Sequence, residues 1–388
     1  MKIAIICSRA EAGRDGVGDY SVRLAAGFEA CGHNTLVLAE RDMMLAASTP
    51  TIETRDNIRV VRLPASAADS QRGEWLAAQL DAFAPDWVIL QFVCWGLADR
   101  GILAPPPTSL LAALSRWRVA IYCHELWLGL DRGATMRHRL WGWRQRRSIL
   151  RFLALARPAL VLTSNPAYCA ILERFGWRAR ILPLHGNIPV SDGAADEARQ
   201  LIRQRLGRIP WRERREVLLL AVFGSVLPAW NPRPALSWLR TEAERRGQRV
   251  LLASIGRPSQ VGEALLAGLA IDAGPSLACV ALGEAAPRMV SGLLQEADIG
   301  LPSTDWLLLG KSGGAAAMQE HGLPILVVRN EQSFRDLPGF SVTHPDSVFR
   351  FDPAAPPDYD SLVRARRPAG DPLPSLTRDL VNLLERAH

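Results

Sequence analysis

Lysine is almost absent from this chain. Of its 46 lysine and arginine side chains, only Lys2 and Lys311 are lysines. A bias this strong follows genome composition and says little about function, but it singles out each lysine that remains. No apolar run reaches the ~18–20 residues that a membrane-spanning helix needs. The apolar start Met1–Cys7 is too short for a signal peptide and lacks a small-residue cleavage site. It reads as a buried first strand, and a cytoplasmic location is the default expectation. The six cysteines form no C-x-x-C pair. They read as buried thiols, since a free cysteine behaves as a small hydrophobe. There is no H-E-x-x-H, no paired zinc ligand set and no Ser-His-Asp spacing. No metal ion is expected, although sequence order leaves open a triad assembled in space.

What is present indicates a folded protein of two domains. The chain has 388 residues, 48% of them hydrophobic and 22% charged. That is globular rather than disordered composition, and the length suits two domains with a core each. Lys2–Ser8, Thr35–Glu40, Ile58–Leu63, Trp87–Phe92, Val119–Cys123, Leu160–Ser164 and Ile181–Leu184 read as strands. Helical patterns at Asp19–Cys31 and around Glu74–Phe83 separate some of them. Continuous apolar strands alternating with helices indicate a parallel sheet covered on both faces. An Arg-rich stretch follows, with one expected helix at Ala195–Leu206. The rhythm then restarts, with strands at Val217–Phe223, Gln248–Ile255, Leu277–Leu282, Ile299–Pro302 and Pro324–Val328. A helix is expected at Pro232–Arg246, and Ser375–Ala387 reads as a terminal amphipathic helix. The expected fold is α/β: residues 1–190 form one Rossmann-like domain, 191–214 a linker, and 215–388 a second Rossmann-like domain with the terminal helix. A ligand cleft between the halves is expected, because such sites favour domain interfaces and the carboxyl ends of parallel strands.

Four motifs carry chemistry. Gly16-Val17-Gly18 follows the first strand, but Ser21 stands where a dinucleotide fingerprint needs its third glycine. The pair suits either a loop that lets a phosphate or sugar approach the helix start, or a plain turn. His124-Glu125 follows the strand Val119–Cys123, where a histidine would face a ligand crevice or simply lie at the surface. Gly310-Lys311-Ser312-Gly313-Gly314 invites a P-loop reading, which Asp305 rules out because a glycine is required there. A helix start, a hydroxyl and an ammonium still favour an anion such as a diphosphate over an ordinary cap. Arg132–Arg151 interleaves Arg137, Arg139, Arg144, Arg146 and Arg147 with Trp141 and Trp143. This suits an interfacial helix on anionic lipid or a solvated basic helix; no nucleic-acid-binding module is present.

In order along the chain, the motifs resemble family 4 glycosyltransferases of the GT-B fold. Gly16-Val17-Gly18-Asp19-Tyr20, Leu24-Ala25 and Gly32-His33 are similar to that family's opening. Tyr122-Cys123-His124-Glu125 resembles its strand-end histidine. Leu182-Pro183-Leu184-His185-Gly186-Asn187-Ile188-Pro189 resembles the turn into its linker, and Phe223-Gly224-Ser225 its second glycine loop. Ala297–Ser303, Ala316-Ala317-Met318 and Gly322-Leu323-Pro324 resemble its donor-binding strand, helix and turn. The resemblance covers residues 1 to about 330. Two glutamates that the family places seven residues apart are missing: the stretch reads Leu308-Leu309-Gly310 and Ala315-Ala316-Ala317. Ser225 and a stretch near Trp230 and Asn231 replace the family's arginine and lysine.

The resemblance implies transfer of a sugar, with retention and without a cofactor, from a sugar nucleotide to a glycan, lipid-linked or small-molecule acceptor. It implies that Lys311, Ser312 and Gly313 hold the diphosphate with Gly224 and Ser225 alongside, Lys311 and His124 being catalytic. Gly16, Gly18, Asp19 and Asn187 would complete the substrate site. Peripheral membrane contact through Arg132–Arg151 is expected if the acceptor is lipid-linked. The alternatives are a non-catalytic GT-B scaffold, which the missing glutamates favour, and a GT-B epimerase.

Overall fold

The computed structural model describes residues 1–46, 49–206, 216–257, 260–271 and 276–387. The chain divides into two compact units. The first comprises Met1–Pro183, Ser333–Phe340 and Pro372–His388; the second comprises Leu184–Gln332 and Ser341–Asp371.

The first unit is built on eight strands: β1 (Lys2–Cys7), β2 (Asn34–Asp42), β3 (Thr51–Arg55), β4 (Ile58–Pro64), β5 (Trp87–Phe92), β6 (Val119–Cys123), β7 (Leu160–Thr163) and β8 (Ala179–Ile181). Its helices are α1 (Gly16–Ala30), α2 (Asp69–Phe83), α3 (Cys94–Leu97), α4 (Thr108–Leu114), α5 (Met136–Ala156) and α6 (Pro166–Arg174). The strand order is β3-β4-β2-β1-β5-β6-β7-β8, and every pair is parallel except β3 with β4. Strands β1, β5 and β6 are buried almost throughout, as a sheet covered on both faces requires. The sheet winds outward in both directions from β1, so its switch point lies between β1 and β5. Strand β3 escaped the sequence reading. It forms a hairpin with β4 through Asp56 and Asn57, both left-handed at φ 49° and 65°. That is the backbone a two-residue hairpin turn needs.

The second unit repeats the plan with β9 (Val217–Phe223), β10 (Arg249–Ile255), β11 (Leu277–Gly283), β12 (Ile299–Gly300), β13 (Ile325–Val327) and β14 (Val348–Arg350). Its helices are α7 (Ala194–Leu206), α8 (Arg233–Glu244), α9 (Gln260–Ile271), α10 (Pro287–Glu296), α11 (Gly313–Glu320) and α12 (Tyr359–Arg364). The order β11-β10-β9-β12-β13-β14 is all-parallel, with its switch point between β9 and β12. This is the Rossmann order. Apolar layers lie on both faces of the sheet, one including Leu219, Leu251 and Ile325, the other Leu218, Leu252 and Leu326.

Three expectations need correction. Helix α1 begins at Gly16, not Asp19, because the Asp15 carboxylate caps it by accepting from the Gly18 amide at 2.7 Å. Gly16-Val17-Gly18 is therefore the first helical turn and not a loop. The stretch 191–214 is no free linker where it is described. Ala194, Ala198 and Ile202 of α7 are fully buried, and the helix packs on α10 and β11. Residues 207–214 of that stretch lie outside the described residues. The last helix, α13 (Leu373–Arg386), groups with the first unit and not the second. Its buried stripe Leu373, Leu376, Leu380 and Leu384 needs an apolar partner, and α1 supplies it. A Cβ on Gly27 of α1 would lie 2.5 Å from the Thr377 Oγ1, so only glycine lets the helices meet this closely.

Candidate functional site

In the second unit, β9, β10 and β11 each end at a glycine with positive φ: Gly224 at 87°, Gly256 at 117° and Gly283 at 74°. The Gly224 amide donates to the Ile255 carbonyl at 3.1 Å, and the Gly256 amide to the Gly283 carbonyl at 2.9 Å. A Cβ on Gly256 would stand 3.1 Å from the Gly224 nitrogen. The three strand ends thus form a stepped, bare backbone edge. A cavity of about 540 Å³ lies over it, also lined by Ser254, Arg257 and Glu284. Arg257 and Glu284 pair through both guanidinium nitrogens that face the carboxylate, one contact being 3.2 Å.

At the switch point the Ser303 hydroxyl donates to the Ser225 carbonyl at 2.6 Å. Helix α11 starts against the same strand end. A Cβ on Gly314 would lie 2.9 Å from the Phe223 carbonyl oxygen, whereas Gly313 faces open space. Ser312 caps the helix by accepting from the Ala315 amide at 3.2 Å. A serine used this way still has its own proton to donate. Half-buried Lys311 is the last residue of the 3₁₀ turn Trp306–Lys311, directly before the cap. The start of α11, with Ser312 and Gly313, thus lies against the strand end that runs into Gly224 and Ser225. Asn187 is set apart from them along α11. The adjacent Gly186 donates its amide to the Glu320 carboxylate at 2.6 Å and lies against Ala317.

In the first unit His124 follows β6, half-buried, with its Nε2 2.6 Å from Gln91 Oε1. A carbonyl oxygen only accepts, so this contact needs the proton on Nε2 and leaves Nδ1 as the acceptor of a neutral ring. The rings of Tyr20 and Tyr122 pack against it at 5.3 and 4.5 Å. Gly16 is exposed. Gly18 is buried, and a Cβ there would come within 2.6 Å of the Arg9 carbonyl. Both Asp19 carboxylate oxygens accept from the Gly13 amide at 3.1 Å, and Arg55 lies 3.8 Å away. Burial raises the Asp19 pKa, against the opposing pull of that amide and of Arg55. Gly18 and Asp19 thus shape the loop after β1.

Two doubly wound, mainly parallel units, the second with glycine-edged carboxyl ends, define the architecture. The chain has the GT-B fold. It is similar to the catalytic domain of starch synthase IV from Arabidopsis thaliana, solved with ADP and acarbose: TM-score 0.57 at 12% identity, covering 100% of this chain and 99% of that one. An α-glucosyltransferase solved with UDP and a DNA 13-mer matches at TM-score 0.55 and 11% identity, covering 100% of both chains. A Listeria monocytogenes protein provisionally assigned as a UDP-N-acetylglucosamine 2-epimerase matches at 0.51 and 9%, covering 99% and 95%. No family model matches the sequence. No curated protein matches it either.

In this GT-B chain the two missing glutamates are replaced by packing. Leu309, Ala315, Ala316 and Ala317, in the two stretches where the glutamates are missing, are all buried. Asp305, in the same stretch, accepts from the Leu307 and Gln332 amides at 3.0 and 3.1 Å. Burial raises its pKa despite those two bonds. The sequence reading passed over Gly256 and Gly283, and it included Ser303 only as the end of the donor-strand resemblance. The signal was available: each apolar strand β9, β10 and β11 runs into a glycine. The basic stretch is helix α5, with Phe152 buried and Trp143 exposed. Trp141 donates its ring N–H to the Arg100 carbonyl at 3.1 Å. Among the described residues no helix is long and apolar enough to cross a membrane.

Proposed function

We propose that this protein is a family 4-like glycosyltransferase that moves a sugar, with retention, from a sugar nucleotide to an acceptor. The observation that carries the reading is the convergence of the Gly224-Ser225 loop, Ser303 and the capped start of α11 at one switch point, beside a cavity of about 540 Å³. The nucleoside takes the cavity over Gly256 and Gly283. The diphosphate takes the strand edge, within reach of Lys311, the Ser312 hydroxyl and the Gly313 amide. As the bond to the sugar breaks, charge develops on the diphosphate. Fixed N–H dipoles, a hydroxyl and an ammonium stabilise that charge more than the ground state, and this lowers the barrier. The sequence resemblance makes the chemistry metal-independent. By the sequence resemblance, His124, held by Gln91, contacts the sugar. The acceptor reaches a cytoplasmic protein that touches the inner membrane face through Arg132–Arg151.

Calorimetric titration with ADP-, UDP- and GDP-sugars, followed by a donor-hydrolysis assay, tests the reading. Binding of one donor with slow hydrolysis is expected. Binding without turnover under any acceptor would favour a non-catalytic scaffold, to which the buried alanines at the glutamate positions point.

A further inference from the structure

Helix α5 spans 21 residues without a single carboxylate. One face is buried through Gln145, Ile149, Phe152 and Leu153. On another face Met136, Leu140 and Trp143, spaced four and three apart, are 76, 53 and 48% exposed. Arg137, Arg144, Arg147 and Arg151 are exposed around this stripe. A solvated basic helix has no use for three large apolar side chains in a row. An apolar stripe among cations is the pattern of a helix lying in an anionic membrane surface.

A cavity of about 500 Å³ lies beside the first half of α5, lined by Trp95, Arg100, Leu128, Arg137, His138 and Trp141. Its walls are fixed from behind. Fully buried Gln145 donates to the Arg100 carbonyl at 2.9 Å and accepts from the Leu128 amide at 2.9 Å. Trp141 donates to the same Arg100 carbonyl. Arg100 is left-handed at φ 60°, a conformation that a non-glycine residue keeps only when its surroundings hold it. Gly142 completes the clamp, because a Cβ there would sit 1.8 Å from the Leu128 carbonyl oxygen. Two guanidinium groups and a histidine suit a phosphate, and two indoles suit the apolar faces of a polyol or sugar.

We propose that this cavity receives the head group of a phosphate-bearing membrane lipid, while Met136, Leu140 and Trp143 dip into the bilayer. The lipid site is tested without a donor and does not depend on the transferase reading. The head group sits between Arg100 and Arg137, and the acyl chains leave along the exposed stripe. Charge draws the protein to the surface, and the cavity selects the phosphate.

The test is flotation with two sets of phosphatidylcholine vesicles, made equally anionic with phosphatidic acid or with oleate. Wild-type protein is expected to float with both at low salt, to prefer phosphatidic acid, and to release as salt screens the surface. Trp143→Asp should lose binding to both sets. Arg100→Gln and Arg137→Gln should each weaken binding roughly fivefold and together abolish the preference for phosphatidic acid. Circular dichroism would confirm that each variant is folded. No flotation at low salt, or flotation unchanged by Trp143→Asp, would overturn the membrane face. Equal wild-type binding to both vesicle sets would overturn the head-group cavity. Donor titration without vesicles reports on the transferase reading separately, so the two failures are distinguishable.

Discussion

The Ser303 hydroxyl donates to the Ser225 carbonyl at 2.6 Å and so ties the loop after β12 to the loop after β9. The bond crosses the switch point of the second sheet, where the strands on either side run to opposite edges. Ser303→Ala removes about 1 kcal/mol of hydrogen bonding. Donor affinity, read by calorimetry, should fall about fivefold while the melting temperature moves little. Unchanged affinity would show that the loop needs no tie.

Gly313 and Gly314 make a matched pair. Gly314→Ala drives a Cβ to 2.9 Å from the Phe223 carbonyl and must push the start of α11 off β9. Gly313→Ala meets nothing within 4 Å. Thermal unfolding should therefore separate them, with Gly314→Ala the less stable by on the order of 1–3 kcal/mol. Equal stabilities would contradict the packing.

Lys311 precedes the Ser312 cap in a chain whose one other lysine is Lys2. A compact ammonium suits such a confined place better than a guanidinium fork. Lys311→Ala should cost about 1.5–3 kcal/mol of transition-state stabilisation, typical of a charged hydrogen bond, or roughly tenfold to a hundredfold in turnover. Lys311→Arg should restore part of it. Wild-type kinetics for the alanine variant would move the phosphate site elsewhere.

His124 rests on Gln91, Tyr20 and Tyr122. His124→Ala should lower turnover more than melting temperature, and Gln91→Leu should do the same more weakly by releasing the ring. A purely structural histidine would lose stability and keep kcat, so the ratio of the two effects decides the role.

Glu40, buried at the end of β2 and 3.3 Å from Arg72, titrates at about 7. Burial is the dominant cause, partly offset by Arg72 and Arg41. Its unfolded value is 4.5. Between pH 4.5 and about 7 the folded state therefore binds more protons than the unfolded one, and stability falls as pH rises through that window. The slope should be on the order of 1 kcal/mol per pH unit at most, and Glu40→Gln should flatten it. Parallel curves for wild type and variant would place the titration on another group.

The sequence was most informative where local chemistry decides alone. Strands Trp87–Phe92, Val119–Cys123 and Val217–Phe223 match residue for residue, because each is an apolar stretch that starts directly after a charged residue, interrupted only by Gln91 in the first. The two Rossmann-like units followed from that rhythm, and the Lys311–Gly313 helix start from its residue types. Tertiary structure decided what depends on partners. Leu373, Leu376, Leu380 and Leu384 specify an amphipathic helix, but nothing in their spacing says that α1 of the first unit covers it. Ala194, Ala198 and Ile202 are too sparse and too near glycine and proline to signal that the supposed linker is core. Strand β14 is three residues long and is held by pairing with β13 and by the core contacts of Val348. The two strand-end loops joined by Ser303 and Ser225 lie 78 residues apart in the chain. Sequence pattern reports what a segment prefers within a few turns of itself. Which distant segment satisfies its apolar face, or completes its site, is settled only when the sheets wind.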